Sequence, residues 1–184
     1  MIFGAWKKKS HKTCCFTGHR PQGLPFGFDE SQPSCLRLKE VLRQEIERQI
    51  TENGVSHFIS GMALGVDLIC AELVLELKAK YPRITLEGAI PCEKQAARWG
   101  TAQQEQYCSL LSRCDKKTVI QKAYTKDCFQ KRNYYMVDSS EYVIAVWNGN
   151  PSGTGQTVLY ARQQEKAVVV INPNTLEIAR STSE

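Results

Sequence analysis

The sequence predicts a single α/β domain of three layers, a parallel sheet of about six strands held between helices. Three observations carry this expectation. Short runs of β-branched, aromatic and cysteine residues alternate with stretches whose apolar residues recur at helical spacing. The run Tyr142-Val143-Ile144-Ala145-Val146-Trp147 is apolar throughout, as a central parallel strand covered on both faces requires. A chain of 184 residues, 42% of them hydrophobic and 23% charged, is long enough to bury one core and composed as a globular protein.

The elements follow in order. Residues 1–12 mix two aromatics with four lysines and show no period, so they are read as a flexible N-terminal arm ahead of one domain over 13–184. The first strand covers 13–17 and stops at Gly18, and a Gly/Pro-rich loop runs to Pro33. Leu38, Val41, Leu42, Ile46 and Ile50 recur at helical spacing over 34–53, with Gly54 placed to end that helix. A second strand covers 57–60, and after a glycine loop a helix opens at Asp67, a residue type that caps helix N-termini. Strands over 84–90, 118–121, 142–147 and 167–171 then alternate with helices over 94–113, 127–139 and, after a turn over 148–155, one that ends near Lys166.

Charge and cysteine usage narrow the class. The 24 basic against 19 acidic residues give a net charge of +5, which suits anionic ligands. Lys7-Lys8-Lys9 and Lys116-Lys117 are read as solvated surface. The eight cysteines lack C-x-x-C or Cys/His ligand spacing, and Cys14, Cys15 and Cys70 fall in apolar segments. Together with the lack of an apolar leader before the first strand, they predict a reduced, cytoplasmic protein with no metal site and no cofactor. No apolar stretch reaches bilayer length, so no membrane partner is expected.

In an open parallel sheet, ligands bind beyond the carboxyl ends of the strands, where loops and helix N-termini converge. Gly153, Thr154 and Gly155 lie between a strand and a helix, where glycines permit close backbone approach and free N–H groups attract an anion. Thr157 adds a second hydroxyl to that of Thr154. The same stretch can equally be a turn that only caps the helix. G-x-x-x-x-G-K-[ST] and G-x-G-x-x-G are both absent. Gly61, Met62 and Gly65 belong to a second glycine loop, S-G-M-A-L-G-V-D, in which Asp67 is either a ligand or an N-cap. Arg20 after Gly18 and Arg132 beside Asn133 can clamp phosphate oxygens or form surface ion pairs. His19 is an acid or base candidate, or a hydrogen-bonding residue. Gln95 and Trp99, four apart on the expected helix, share a face on which indole stacks a base and the amide reads its edge, unless Trp99 packs in the core.

These loops carry a resemblance. T-G-H-R-P after a strand, S-G-M-A-L-G-V-D, and S-G-T-G-Q-T before a helix are similar, in that order, to the Rossmann-like superfamily that unites the DNA-processing protein DprA with the LOG nucleotide phosphoribohydrolases, known as SLOG. Within it the chain resembles the YpsA/YoqJ-like branch of bacterial and phage proteins, over nearly all of 13–172. The resemblance implies a phosphate-binding groove lined by 60–67 and 152–157, and a homodimer. Arg132-Asn133-Tyr134-Tyr135-Met136 resembles the R-K-x-x-M helix of the LOG enzymes, which would make Arg132 a catalytic residue. Thr157 stands where those enzymes carry a glutamate, and a hydroxyl does not replace a carboxylate; Asp67, Glu93 or Asp138 would have to supply one.

The leading expectation is therefore binding of a nucleotide or nucleotide-derived phosphate in a sensing or regulatory role. Hydrolysis of a nucleotide N-glycosidic bond and binding of single-stranded DNA are the alternatives.

Overall fold

The structure, a computed structural model, describes residues 11–181. Residues 1–10 of the expected arm lie outside the described residues. The elements are β1 (Lys12–Gly18), α1 (Pro33–Thr51), β2 (Val55–Ser60), α2 (Val66–Leu77), β3 (Thr85–Cys92), α3 (Thr101–Ser112), β4 (Lys116–Gln121), α4 (Cys128–Asp138), β5 (Tyr142–Val146), α5 (Gly153–Gln163), β6 (Ala167–Ile171) and β7 (Ile178–Ser181).

The sheet has seven strands in the order β4-β3-β2-β1-β5-β6-β7, parallel except for β7, which runs antiparallel to β6. From β1 the chain steps outward through β2, β3 and β4, then returns to lay β5 on the other side of β1. Right-handed crossovers in opposite directions place their helices on opposite faces. Accordingly α1, α2 and α3 share one core with Cys14, Phe16 and Phe58, whereas α4 and α5 share another with Cys15, Ile59 and Val143. Phe16 and Phe58 stack across β1 and β2 with ring centroids 5.8 Å apart. The strand order reverses at β1, so the carboxyl ends of β1, β2 and β5 border the crevice where ligands of this fold class bind.

The structure differs from the sequence expectation in three places. β7 was not expected: it is four residues long and only half apolar, too short for a periodic signal. The helix expected over 94–113 starts only at Thr101. Before it, Gln95, Ala97 and Trp99 each donate a backbone bond to the carbonyl three residues back, forming successive turns. Gly100 interrupts the helical pattern, and the Gln103 side chain accepts from its amide at 2.9 Å. Finally, Gly65 rather than Asp67 occupies the N-cap of α2.

All eight cysteines are free, and all but Cys108 and Cys114 are buried. Among the described residues no helix is long and apolar enough to cross a membrane.

One buried charge lies on the α4 side of the sheet. Glu87 of β3, 1% exposed, accepts bonds from His57 Nε2 (3.0 Å), Lys116 Nζ (3.0 Å), Thr118 Oγ1 (2.6 Å) and Tyr135 OH (2.7 Å). Burial alone would raise its pKa, but these bonds outweigh it and hold the carboxyl far below the usual range. A depressed folded pKa gives stability that is complete above the unfolded value of about 4.3 and is lost as pH falls from there toward the folded value. Glu87→Gln is expected to lower stability at neutral pH by about 1–3 kcal/mol and to flatten the acid limb. Urea midpoints measured across pH check both.

Candidate functional site

The crevice holds a cavity of about 290 Å³. Thr17, Gly18, His19 and Arg20 reach it from the end of β1, Ala63 and Asp67 from the loop and helix after β2, Phe129, Arg132 and Asn133 from α4, and Ser152, Gly153 and Thr154 from the start of α5. Two glycine loops that are far apart in sequence, after β2 and after β5, thus meet at one place. A second lobe of about 490 Å³ opens beside it between α4 and α5, and the two share Phe129, Asn133 and Gly153.

The start of α5 is built to leave two donors free. Ser152 is its N-cap, and the Ser152 hydroxyl accepts the Gly155 amide at 3.1 Å. Gly153 and Thr154 precede the first intrahelical bond, and among the described residues their amides find no acceptor. The helix dipole adds positive potential at the same point. Thr157 donates back to the Gly153 carbonyl (2.9 Å) and accepts from the Asn133 amide (2.9 Å), so its hydroxyl ties α5 to α4.

Arg132 is 4% exposed, and three contacts fix its guanidinium. Nε donates to Asn133 Oδ1 at 2.8 Å, and Nη1 donates to the Gly61 carbonyl and lies 3.5 Å from Asp67 Oδ2. Nη2 has no partner among the described residues, which leaves one prong of the fork for a ligand in the cavity wall that Arg132 helps to form. Burial pushes the Asp67 carboxyl above its usual range, while the Arg132 guanidinium and the Ala63 amide (3.3 Å) pull it partly back. Arg20 lies over the Phe129 ring, 5.2 Å from its centroid, at the mouth of the same cavity.

His19 is buried in the cavity wall. Its Nε2 accepts the Asn148 amide at 3.2 Å, and burial lowers its pKa. A neutral ring with its proton on Nδ1 follows, so the imidazole serves here to fix the loop after β5.

Gly18, His19, Arg20, Asp67, Arg132, Asn133, Gly153 and Thr154 therefore line the inner lobe, and Thr157 the outer one. The remaining expected residues act elsewhere. Gly61 lies behind Arg132, where a Cβ would run into the guanidinium and the Asp67 carboxylate, so this glycine sets the position of the arginine. Gly65, at φ +92°, passes so close to the β1 loop that a Cβ would be 2.6 Å from the His19 carbonyl oxygen. Met62 is fully buried. The Gly155 amide is already taken by its cap. Gln95 and Trp99 share no helical face: Gln95 donates to the Met62 carbonyl at 2.9 Å, and Trp99 packs edge-on against Tyr107, with centroids 5.4 Å apart. Asp67 Oδ2 accepts the Ala63 amide, so the carboxylate closes its own loop and does not cap α2.

Of the three carboxylates considered from sequence, Asp67 alone borders the cavity; Asp138 accepts from Tyr160 at 2.9 Å on the surface. Phe129 was missed. It lies three residues before Arg132, one helical turn away, and that spacing was the available signal. Among the described residues no group of His, Cys, Asp and Glu is arranged to hold a metal ion.

A crevice at the switch point of a parallel sheet, bounded by a helix N-terminus and two glycine loops, defines a Rossmann-like protein. The YpsA family model, described as the YspA SLOG family, matches residues 14–176, and the chain belongs to this family. It is 33% identical over 143 residues to the SPbeta prophage-derived protein YoqJ of Bacillus subtilis (strain 168), covering 71% of this chain and 84% of that one. It is 26% identical over 156 residues to a UPF0398 protein of Bacillus thuringiensis (strain Al Hakam), covering 84% of each. Among solved structures the fold is similar to that of DprA from Streptococcus pneumoniae (TM-score 0.58, 15% identity, 88% of this chain). It is also similar to DprA from Helicobacter pylori (TM-score 0.59, 20% identity, 88% of this chain). The chain spans 50% and 65% of those two proteins, and at such identity the likeness is one of fold.

Proposed function

We propose that the protein binds a nucleotide or nucleotide-derived phosphate in the crevice and acts as a sensing or regulatory module. One observation carries this reading: Gly153 and Thr154, whose amides are free, and Arg132, whose Nη2 has no partner among the described residues, border the same cavity. Three donors, one of them permanently charged, suit the tetrahedral oxygens of a phosphate. Calorimetric titration with AMP, ADP-ribose and cyclic dinucleotides is expected to give saturable binding of at least one of them. No heat with any, and none with inorganic phosphate, contradicts the reading.

Two observations favour a second reading, single-stranded DNA. The fold is similar to that of the Helicobacter pylori DprA, whose structure is described by its single-stranded DNA binding mode. Around the groove stand Arg20 and Lys126 with the rings of Phe129 and Tyr124, the pairing of charge and stacking surface that such strands use. Oligonucleotide affinity that falls steeply with salt supports it, and no binding at low salt removes it.

Hydrolysis of an N-glycoside would rest on Asp67 as the carboxylate and Arg132 as the phosphate clamp. Adenine release from AMP that Asp67→Asn stops would favour that reading over sensing.

A further inference from the structure

We propose that the outer lobe between α4 and α5 is a nucleobase subsite, so that the ligand is a nucleoside 5′-phosphate lying along the whole groove. The inference rests on the phosphate reading of the inner lobe and adds where the rest of the molecule goes.

The two lobes are continuous, because Phe129, Asn133 and Gly153 belong to the walls of both. A phosphate held by the Gly153 and Thr154 amides therefore has one direction in which to extend within the groove, past Asn133. The Asn133 side chain is held at both ends, its Oδ1 by Arg132 and its Nδ2 by Thr157, a fixed polar bridge at the height where a ribose would pass. Beyond it the walls change character. The rings of Phe129 and Tyr134 project from α4, and each is braced: Phe129 by the Arg20 guanidinium, Tyr134 by stacking on Tyr160 with centroids 4.0 Å apart. Rings held in place by neighbours offer stacking surface at little further entropic cost.

The wall of the same lobe carries two primary amides, Gln130 from α4 and Gln156 from α5. The Gln130 amide donates to Tyr134 OH at 2.9 Å, whereas Gln156 is exposed with a side chain that makes no protein hydrogen bond among the described residues. A primary amide presents a donor beside an acceptor, the pattern that pairs with N6 and N7 of adenine. The lobe volume of about 490 Å³ falls within the roughly 300–1,000 Å³ usual for small-molecule sites. The stacking and edge-reading roles expected of Trp99 and Gln95 thus pass to Phe129 and Gln156.

The test compares AMP with ribose 5-phosphate, which carries the same phosphate and sugar but no base. The wild-type protein is expected to bind AMP roughly tenfold or more tighter, the gain that stacking one base supplies. Gln156→Trp, a change at an exposed position, fills the outer lobe and is expected to remove that gain while leaving ribose 5-phosphate binding unchanged. Phe129→Leu is expected to reduce the same ratio even though it also loosens Arg20, since a loss of phosphate affinity alone would weaken both ligands equally. Pyrophosphate no tighter than phosphate is expected; marked preference for pyrophosphate would make the lobe a second phosphate site near Lys126 and overturn the proposal. Equal affinities for AMP and ribose 5-phosphate in the wild type, or an unchanged ratio in both variants, overturn it while leaving the phosphate reading intact. If neither ligand nor phosphate binds, the phosphate reading falls and the subsite with it.

Discussion

Replacing Arg132 by Met is expected to cost about 3–5 kcal/mol of folding stability and to abolish binding of phosphate ligands. The two effects have different origins. Arg132 and Asp67 are both nearly inaccessible, 4% and 6% exposed, and each neutralises the other. Removing the guanidinium leaves a buried carboxylate facing the Ala63 amide alone and strips the Gly61 carbonyl of its donor. Adding Asp67→Asn should restore part of the lost stability, because no buried charge then remains, but it cannot restore the Nη2 donor. The double variant is thus expected to fold better than Arg132→Met and still not bind AMP. Urea denaturation together with calorimetry separates these outcomes. A single variant within about 0.5 kcal/mol of the wild type, the range of an ordinary surface change, would contradict the role given to the pair.

Gly153→Val is the complementary experiment, expected to leave the fold intact and remove the site. An added Cβ at Gly153 meets nothing within 4 Å, and the backbone there lies outside the left-handed region, so the side chain is accommodated without strain. Gly153 lines both lobes, so the added side chain stands where they meet. A change in stability below about 0.5 kcal/mol with loss of AMP binding is the expected result. Gly61 cannot serve the same purpose. A side chain there collides with Arg132 and Asp67, so its effect on binding would pass through a damaged core.

Those two glycines show how far the sequence could be read. The beat of strands and helices located the sheet, and the parallel-sheet rule located its carboxyl edge, so the loops after β1, β2 and β5 were identifiable before any coordinates. What the pattern could not assign was which atoms each loop turns toward the crevice. Gly61 and Gly65 let backbones approach Arg132 and His19, whereas Gly153 exposes its amide; all three look alike as letters. Gln95 and Trp99 were misplaced for a different reason. Their spacing fits a helix, but Gly100 and the side-chain bonds of Gln103 and Gln104 start the helix later and leave 93–99 as turns. The Glu87 network escaped because its members come from β2, β3, β4 and α4, and meet only through the order of the strands. β7 is fixed by pairing with β6 and by the Arg180 to Glu45 ion pair, both long-range contacts.

Binding by this site requires that the first two amides of α5 point at the bound anion. Backbone amide resonances of isotope-labelled protein titrated with AMP test it directly. The account predicts that the Gly153 and Thr154 signals move and saturate with added ligand, whereas Gly155, whose N–H is already given to Ser152, moves much less. Saturable shifts confined to other residues, with Gly153 and Thr154 unmoved, would contradict it.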